Sequence, residues 1–317
     1  MTTRSTKPYG PLRTAAFGGA LLVLWALLVL SSVGCDDDDP AESSEAVEAA
    51  RVPEAAEVVV PVDIDDTSTC EACHGRIVQE WRTSMHAHAH HSEDPVYAAM
   101  RDFRIAREGD ATSGRCAQCH GPRDPTDVES EIARGGVTCA TCHNLTGVDL
   151  ADGANRGARA LQRADDDTLR GPHAIDTSEP IPHGTGAAAP WLTDGSTVCL
   201  ACHGAMQNRE GVATCTTGIE AAEADEPCTS CHMPEVDGAS GIASRRTSHR
   251  SHAFFGPHGL YGDDGPDFMA SALQVSPSFE GGRLSVTLEN RTGHGLPSGF
   301  PGRMVLVRVK GFDADGG

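Results

Sequence analysis

The sequence predicts a mainly α-helical fold with extensive loops, followed by a C-terminal segment of β-strands resembling part of a β-sandwich. Five copies of a Cys-x-x-Cys-His repeat lie within residues 70–232. The chain has 35 Gly and 19 Pro but only 4% aromatic residues, which indicates many turns around a thin protein core. After residue 268, apolar and polar residues alternate in RLSVTLEN and RMVLVRVK, a pattern typical of half-buried strands.

Composition divides the chain into four regions. Residues 1–34 combine a basic start with an apolar run and predict a signal peptide or a membrane anchor. Residues 35–66, rich in Ala, Glu and Pro, predict an acidic disordered tether. Residues 67–267 hold the five repeats, and residues 268–317 hold the alternating stretches. These last residues contain too few strands to close two sheets, so we expect the chain to be a fragment; the alternative is a small sheet that packs on the haems.

The junction SVGC at Cys35 resembles a lipoprotein signal-peptidase site, although Ser32 stands where that pattern usually has Leu. We expect either a lipid on Cys35 or a retained N-terminal helix. Both place the remaining chain outside the cytoplasm, in the periplasm or cell envelope, because the basic residues stay inside. The net charge of −20 argues against nucleic-acid binding and is compatible with a basic partner protein.

Ten of the twelve cysteines form the five repeats. The repeats are Cys70-x-x-Cys73-His74, Cys116-x-x-Cys119-His120, Cys139-x-x-Cys142-His143, Cys199-x-x-Cys202-His203 and Cys228-x-x-Cys231-His232. This is the spacing of c-type haem attachment, in which two thiols bond to the porphyrin and the imidazole binds the iron. Zinc sites do not need a His after every CxxC, and a thioredoxin-like CxxC needs a βαβ setting. The sequence therefore predicts five covalently attached haem c groups.

The spacing of the repeats also predicts how the haems pack. The short intervals from Cys116 to Cys139 and from Cys199 to Cys228 predict two closely stacked haem pairs. Cys215 belongs to no repeat, and we expect it to be a buried or idle thiol. An intermolecular disulfide or a thiolate ligand of a haem iron is the alternative.

Ten further histidines can supply the sixth iron ligand. Their excess over Met favours bis-His ligation, which lowers reduction potentials and closes the iron to substrates. The stretch SMHAHAHH holds four of them and would by composition suggest a separate metal site. Ile77, Trp81 and Met85 recur at helical spacing, which predicts a helix that places His86 beside its apolar stripe. We expect His86 to be a distal ligand rather than part of a zinc or copper site.

A series of short motifs runs in a recognisable order. These are CEACHGRIVQEWRTSMHAHA with DPVY, CAQCHGP, GVTCATCH, GPH and IPHG, CLACH, CTSCHMP, SHAFFGPHG and NRTGHGLPSGFPGRM. Over about residues 67–310 the chain therefore resembles the cytochrome c-554 family of multihaem cytochromes, although the fifth repeat exceeds the four of the name-giving protein. The resemblance implies His86, His183, His252 and His294 as distal ligands, with His258 and His173 as the leading candidates for the fifth iron. It also implies electron transfer through mostly bis-His haems.

We expect an exported, membrane-tethered cytochrome that passes single electrons between closely packed haems and has no catalytic residue. Its expected partners are redox proteins or quinol-linked donors. The alternative is a multihaem oxidoreductase that converts a small nitrogen or sulfur compound at one open haem. Two observations argue against that enzyme: no repeat replaces its His with Lys, and the chain has only three tyrosines for a haem crosslink.

Overall fold

A computed structural model describes residues 62–151, 156–175, 181–207, 211–257 and 265–312. The predicted signal or anchor, Cys35 and nearly all of the predicted tether lie outside these residues. Within the described ranges, no helix is both long enough and apolar enough to cross a membrane.

Short helices joined by loops make up most of the described chain, in agreement with the predicted fold class. The α-helices are α1 (Glu71–Arg82), α2 (Pro95–Glu108), α3 (Ala111–His120), α4 (Glu131–Arg134), α5 (Cys139–His143), α6 (Pro190–Thr193), α7 (Thr197–His203), α8 (Thr217–Glu220), α9 (Cys228–His232) and α10 (Gly265–Ala272). Three 3₁₀ turns cover Thr67–Cys70, Gly157–Arg159 and Ala221–Glu223. Each Cys-x-x-Cys-His repeat lies on a helix or begins directly before one, and the helices differ mainly in what precedes the repeat.

The strands form two-stranded antiparallel ladders rather than a larger sheet. The pairs are β1 (Leu145–Val148) with β2 (Leu161–Arg163), β3 (Met206–Gln207) with β4 (Ala213–Cys215), β5 (Glu235–Asp237) with β6 (Ser248–Arg250), and β7 (Leu273–Glu280) with β8 (Arg283–Asn290). The first two ladders lie between repeats and the third follows the last repeat.

The C-terminal β-segment is a single hairpin, which corrects the predicted partial β-sandwich. The alternating stretch RLSVTLEN forms β8, and its partner is β7, in a register from Leu273 opposite Asn290 to Glu280 opposite Arg283. Gly281 and Gly282 have φ values of 55° and 80°, as a two-residue type I′ turn requires. The predicted strand in RMVLVRVK is wrong, since residues 303–310 have no regular secondary structure. Alternation alone does not form a strand without an edge to supply hydrogen bonds.

Residues 58–306 form one compact unit, whereas residues from 307 onward are grouped apart from it. The core of the larger unit is small. Its one hydrophobic cluster of buried residues consists of Leu145, Ala160, Leu161 and Ala201, with partly buried apolar side chains such as Trp191 around it. Three of these residues come from β1, β2 and the turn before β2. So small a cluster agrees with the thin protein core that the composition predicts.

Helix α1 ends earlier than its apolar spacing predicts. The predicted helix continues to Met85 and His86, but α1 stops at Arg82 and the next residues form turns. The Thr83 hydroxyl donates to the Glu80 carbonyl at 2.7 Å and the Ser84 hydroxyl donates to the Trp81 carbonyl at 2.6 Å. These hydroxyls satisfy carbonyls that further helical turns would have used, so the chain leaves the helix here.

Candidate functional site

The repeats share one local arrangement, in which the His lies where a helix ends or bends. Helices α3, α5, α7 and α9 end at His120, His143, His203 and His232. His74 lies inside α1, but its φ of −116° and ψ of 33° interrupt the helical geometry at that residue. The two cysteines of each repeat therefore share a single helical turn, with the imidazole next to them at the point where the backbone departs from the helix.

Backbone carbonyls fix the orientation of four imidazoles of the repeats. In each, Nδ1–H donates to a carbonyl oxygen from a distant segment. The pairs are His74 with Ser240 at 2.7 Å, His120 with Ala89 at 2.8 Å, His143 with Arg170 at 2.6 Å, and His232 with Phe255 at 2.5 Å. Since a carbonyl oxygen can only accept, Nδ1 carries the proton and the Nε2 lone pair is available to a metal.

Four imidazoles of the repeats face an imidazole from elsewhere in the chain. The centroid distances and interplanar angles are 6.4 Å and 35° for His74 with His183, 6.2 Å and 43° for His203 with His86, 6.3 Å and 24° for His143 with His252, and 6.1 Å and 15° for His232 with His294. Metal–imidazole bonds of about 2.0–2.1 Å would put two rings on opposite sides of one ion roughly 6 Å apart, centroid to centroid. The spacing of all four pairs therefore fits one metal ion between two imidazoles.

Three of the facing imidazoles have the same second-nitrogen arrangement. Nδ1 of His183 donates to the Gly184 carbonyl at 3.0 Å, and Nδ1 of His252 donates to the Arg250 carbonyl at 2.8 Å. Nδ1 of His294 likewise donates to the Gly295 carbonyl at 2.9 Å. These bonds to nearby backbone hold each ring with its Nε2 lone pair unprotonated, as a metal ligand requires.

Burial keeps several of these imidazoles neutral. Burial, together with the neighbouring His203, His252 and His232, lowers the pKa of His86 to about 3. Burial and His232 lower the pKa of His203 to about 4, and burial and His143 do the same for His252. Only the neutral imidazole has a lone pair for a metal, so these rings are in the ligand-competent form at neutral pH.

His86 reaches its partner through a turn that packs on residues 136–137. The Val137 N–H donates to the His86 carbonyl at 2.9 Å, and the Trp81 indole N–H donates to the Val137 carbonyl at 2.8 Å. Gly136 has a φ of 68°, and a Cβ there would lie 2.6 Å from the His86 carbonyl oxygen. The ring of Phe254 contacts the His86 ring edge-on at 4.1 Å. This packing, and not an extension of α1, aims His86 at His203.

Comparison with known proteins bears on this arrangement. Residues 69–144, which contain the first three repeats, match the sequence model of the family described as cytochrome c554 and c-prime. This match supports a multihaem c-type cytochrome family for the segment that carries these three repeats. The fold is also similar to the crystal structure of a penta-haem cytochrome c552 from Thermochromatium tepidum, with a TM-score of 0.58 and 22% sequence identity over 73% of this chain and 67% of that chain. A search of curated proteins gives no match.

The family match supports haem c as the cofactor of the matched repeats and is consistent with electron transfer. The chemistry of the donor set agrees with haem c, because each repeat offers two thiols and one imidazole on a single helical turn. Cytochromes of this kind are typically exported, since haem c is attached outside the cytoplasm.

The other histidines of SMHAHAHH have their Nε2 atoms engaged in different contacts. His88 Nε2 is 3.0 Å from the Arg82 carbonyl, and His91 Nε2 is 3.2 Å from the Glu129 carboxylate. His90 is buried, with Nδ1 at 2.8 Å from the Ser92 hydroxyl and Nε2 at 2.8 Å from the Val128 carbonyl. Within the described chain, no group of three or more His, Cys, Asp or Glu residues could hold a free metal ion. Of the four, His86 is the one that faces an imidazole of a repeat.

An acidic residue on α1 holds the segment that carries His252. Glu80 accepts a hydrogen bond from the backbone N–H of His252 at 3.0 Å and from Nε2 of His249 at 3.0 Å. His249 is buried, and its Nδ1 lies 2.8 Å from the Gly238 carbonyl oxygen. Sequence analysis missed Glu80 because an acid on an amphipathic helix is usually solvated.

The repeat at Cys116–His120 differs from the other four. The ring of Tyr97 stacks on that of His120, with centroids 3.9 Å apart and planes 23° apart. No imidazole among the described residues faces His120 at the spacing of the other pairs. Of the two candidates for the fifth iron, His173 is exposed and His258 lies outside the described residues.

Thiols of different repeats lie close enough to interact. A hydrogen bond with Cys139 lowers the pKa of Cys70 to about 7, and one with Cys199 lowers that of Cys228 to about 5. A third such contact joins Cys119 to Cys202 and lowers the pKa of Cys119. The Cys199 repeat thus adjoins the Cys228 repeat, and the thiols of the Cys116 and Cys139 repeats contact other repeats. Stacking of the haems in the two predicted pairs stays a prediction.

Cys215, the one described cysteine outside the repeats, is buried in β4 opposite Met206 of β3. This burial agrees with the expected structural role, in which the thiol fills space as a small apolar group.

Proposed function

We propose that the chain is an exported, membrane-tethered electron carrier with five haem c groups, of which four have two imidazole ligands. The four imidazole pairs at 6.1–6.4 Å are the observation that carries this proposal. A bis-His haem supplies an iron that cycles between two oxidation states and has no open position for a substrate. That chemistry favours electron transfer over conversion of a small molecule.

The proposed attachment residues are the ten cysteines of the repeats: Cys70, Cys73, Cys116, Cys119, Cys139, Cys142, Cys199, Cys202, Cys228 and Cys231. The proposed proximal ligands are His74, His120, His143, His203 and His232, and the proposed distal partners are His183, His252, His86 and His294 for all but His120. For the iron on His120 we propose His258 as the distal ligand. Support for this last assignment comes from the sequence resemblance alone.

The chain's own contribution is to orient the ligands and exclude water. Carbonyl acceptors at Nδ1 hold the rings in one tautomer, so little rearrangement accompanies a change of oxidation state. Hydrogen bonding from Nδ1–H also increases the basicity of the ligand and stabilises the ferric state. The thiol contacts between repeats support haems near enough for direct electron exchange, with the Cys199 repeat next to two others.

Export and tethering are proposed from residues 1–35. A basic start, an apolar run and Cys35 support either a lipid anchor on that cysteine or an N-terminal helix as the membrane attachment. The net charge of −20 supports steering toward basic regions of redox partner proteins or quinol-linked donors.

Two measurements on the purified haem-loaded chain test the proposal. Mass spectrometry of the intact protein counts the attached haems, and the proposal requires five. Carbon monoxide is then added to the reduced protein to count the irons with an open axial position. It does not readily displace an imidazole from an iron that has two imidazole ligands. Binding of less than one equivalent supports the electron carrier, whereas binding of several equivalents contradicts the bis-His assignment.

The variant His258→Ala isolates the fifth haem, and His173→Ala is its matched control. If His258 is the distal ligand, its loss opens one iron to carbon monoxide and the control does not. Stoichiometric binding to the unaltered protein would instead assign an open iron to the His120 haem and make a small-molecule reaction there the better interpretation.

A further inference from the structure

A cavity of about 390 Å³ lies beside the Cys116–His120 repeat and contains none of the proposed haem ligands. Four segments line it: the end of α3, the loop at residues 123–126, the turn Gly157–Arg159 and the end of β2. Its polar lining consists of Gln118, Arg123, Asp124, Thr126, Arg159 and Arg163. Three guanidinium groups around one cavity reverse the sign of charge locally in a chain with a net charge of −20.

The arginines are incompletely neutralised by the chain. Arg123 forms an ion pair with Asp65 at 2.5 Å. Arg163 donates to the carbonyls of Pro122 and Arg123, and burial followed by the charge of Arg123 lowers its pKa. Arg159 is exposed, and its guanidinium has no hydrogen bond or ion pair in the described part of the chain. Two of the three positive charges therefore have no carboxylate partner.

The one acidic side chain in the lining is engaged by its own loop. Asp124 accepts hydrogen bonds from the Thr126 hydroxyl at 3.0 Å and from the backbone N–H of Asp127 at 3.2 Å. Its carboxylate is therefore hydrogen-bonded to neutral donors, although its charge, together with that of Asp65, acts to raise the pKa of Arg163 and offsets part of the positive charge. The cavity therefore has an excess of positive charge. The N–H donors of each planar guanidinium can bind two oxygens of one oxyanion.

Backbone contact fixes Arg159 beside the repeat. Gly157 has a φ of 58°, and a side chain at this position would collide with the Gln118 carbonyl. Only glycine combines this conformation with so close an approach. The turn that carries Arg159 is thus packed directly against the backbone between Cys116 and Cys119.

Gln118 adds a feature that a simple anion would not satisfy. Its Nε2 donates to the Gly114 carbonyl at 3.4 Å, and its Oε1 is buried without a hydrogen-bond partner in the described chain. An unpaired buried acceptor is costly unless a ligand or water donates to it. A ligand that carries both anionic oxygens and a hydroxyl group would satisfy the arginines and this acceptor together.

We propose that this cavity is a binding site for a small protonated oxyanion of the hydrogen phosphate class, held by Arg123, Arg159 and Arg163 and donating to Gln118. The site is separate from electron transfer, so either proposal can fail alone.

Calorimetric titration of the haem-loaded full chain with inorganic phosphate, in chloride at constant ionic strength, tests the site. We expect saturable binding of one phosphate per chain. Arg159→Gln should weaken it at least tenfold and Arg159→Lys by less, because lysine keeps the charge but loses the fork. Arg134→Gln, which removes the same charge from an exposed residue paired with Glu129, should leave it unchanged.

Sulfate is the comparison ion, since it has the same shape but no hydroxyl donor near neutral pH. We expect phosphate to bind at least fivefold more tightly than sulfate, and Gln118→Met to remove that preference in variants with full haem content. Equal affinity for both ions overturns the assignment to a protonated oxyanion. Absence of saturable phosphate binding, or equal weakening by Arg134→Gln and Arg159→Gln, overturns the site itself. A third outcome also overturns the site. If the unaltered protein binds no phosphate and Arg159→Gln changes the haem spectrum in the absence of phosphate, the arginines bind haem carboxylates instead.

Discussion

The imidazole of His294 lies almost parallel to that of His232, with a centroid distance of 6.1 Å and an interplanar angle of 15°. His232 ends helix α9, whereas His294 lies in the glycine-rich connection after β8. Each ring donates from Nδ1 to a backbone carbonyl, of Phe255 and Gly295 respectively. Two rings from separate parts of the chain are therefore preset with their metal-binding nitrogens available.

Replacing His294 with Ala should convert one low-spin haem into a high-spin haem. The iron on His232 would lose a strong ligand, and carbon monoxide would bind to the reduced variant at one equivalent per chain. Electron paramagnetic resonance and a carbon monoxide titration measure the two effects. His173→Ala, at an exposed position, is the control and should change neither; an unaltered spectrum in the His294 variant would disprove this ligand pair.

Within SMHAHAHH, His86→Ala and His90→Ala should have opposite outcomes. Loss of His86 removes the ring that faces His203 and should produce one high-spin haem. Loss of His90 removes two hydrogen bonds of a buried side chain, which should lower stability by about 1–3 kcal/mol and leave all haems low-spin. Spin state and thermal unfolding are measured on both variants. A spin change in the His90 variant alone would show that the wrong histidine has been chosen.

Gly136→Ala should displace His86 without touching its ring. The residue has a φ of 68°, and its new Cβ would lie 2.6 Å from the His86 carbonyl. We expect a loss of about 1–2 kcal/mol from the left-handed conformation alone. The added collision should give a fraction of high-spin haem. Gly171→Ala, where the nearest atom to a new Cβ is 3.9 Å away, is the control for glycine replacement. Equal stability of both variants would contradict the proposed role of this turn.

Removing the carboxylate of Glu80 should loosen the segment that carries His252. Glu80→Ala leaves the His252 N–H and the buried His249 without their acceptor, at a cost of about 1–3 kcal/mol for each unpaired group. The low-spin signal of one haem should broaden or shift. Glu71→Ala, also on α1, removes an exposed pair with Arg82, and solvent screening of that pair means that the variant should unfold at nearly the same temperature as the unaltered protein. Indistinguishable haem spectra in the Glu80 and Glu71 variants would exclude a positioning role for Glu80.

The repeats can be recognised in the sequence because two thiols and an imidazole lie within five consecutive residues. The facing imidazoles cannot be predicted in this way, since a ring such as His183 meets His74 only through the packing of loops. The prediction of His86 as a ligand depends partly on a helix extending to that residue, whereas α1 ends at Arg82. Hydroxyls of Thr83 and Ser84 end α1, and a contact with Val137, more than fifty residues away, directs the ring instead.

Strand prediction failed for a related reason. RLSVTLEN and RMVLVRVK both have apolar residues at every second position, yet only the first forms a strand, because a two-glycine turn places β7 beside it. Alternation predicts which side chains would share a face of a strand. Whether a neighbouring strand is available for pairing depends on the tertiary structure. The arginine cluster cannot be predicted from the sequence for the same reason. Arg123, Arg159 and Arg163 are brought together near Gln118 only by the tertiary structure.

The order of the ring pairs along the chain has a consequence for biosynthesis. His86 precedes its partner His203, but His183, His252 and His294 all follow theirs. A polypeptide that emerges from its N-terminus first offers His74 a partner only after two further repeats have emerged. If each of the four pairs holds a haem iron, as proposed, maturation passes through forms in which an iron has a single imidazole ligand. The pair of His232 and His294 is then completed last, after the hairpin and the residues beyond it have been delivered.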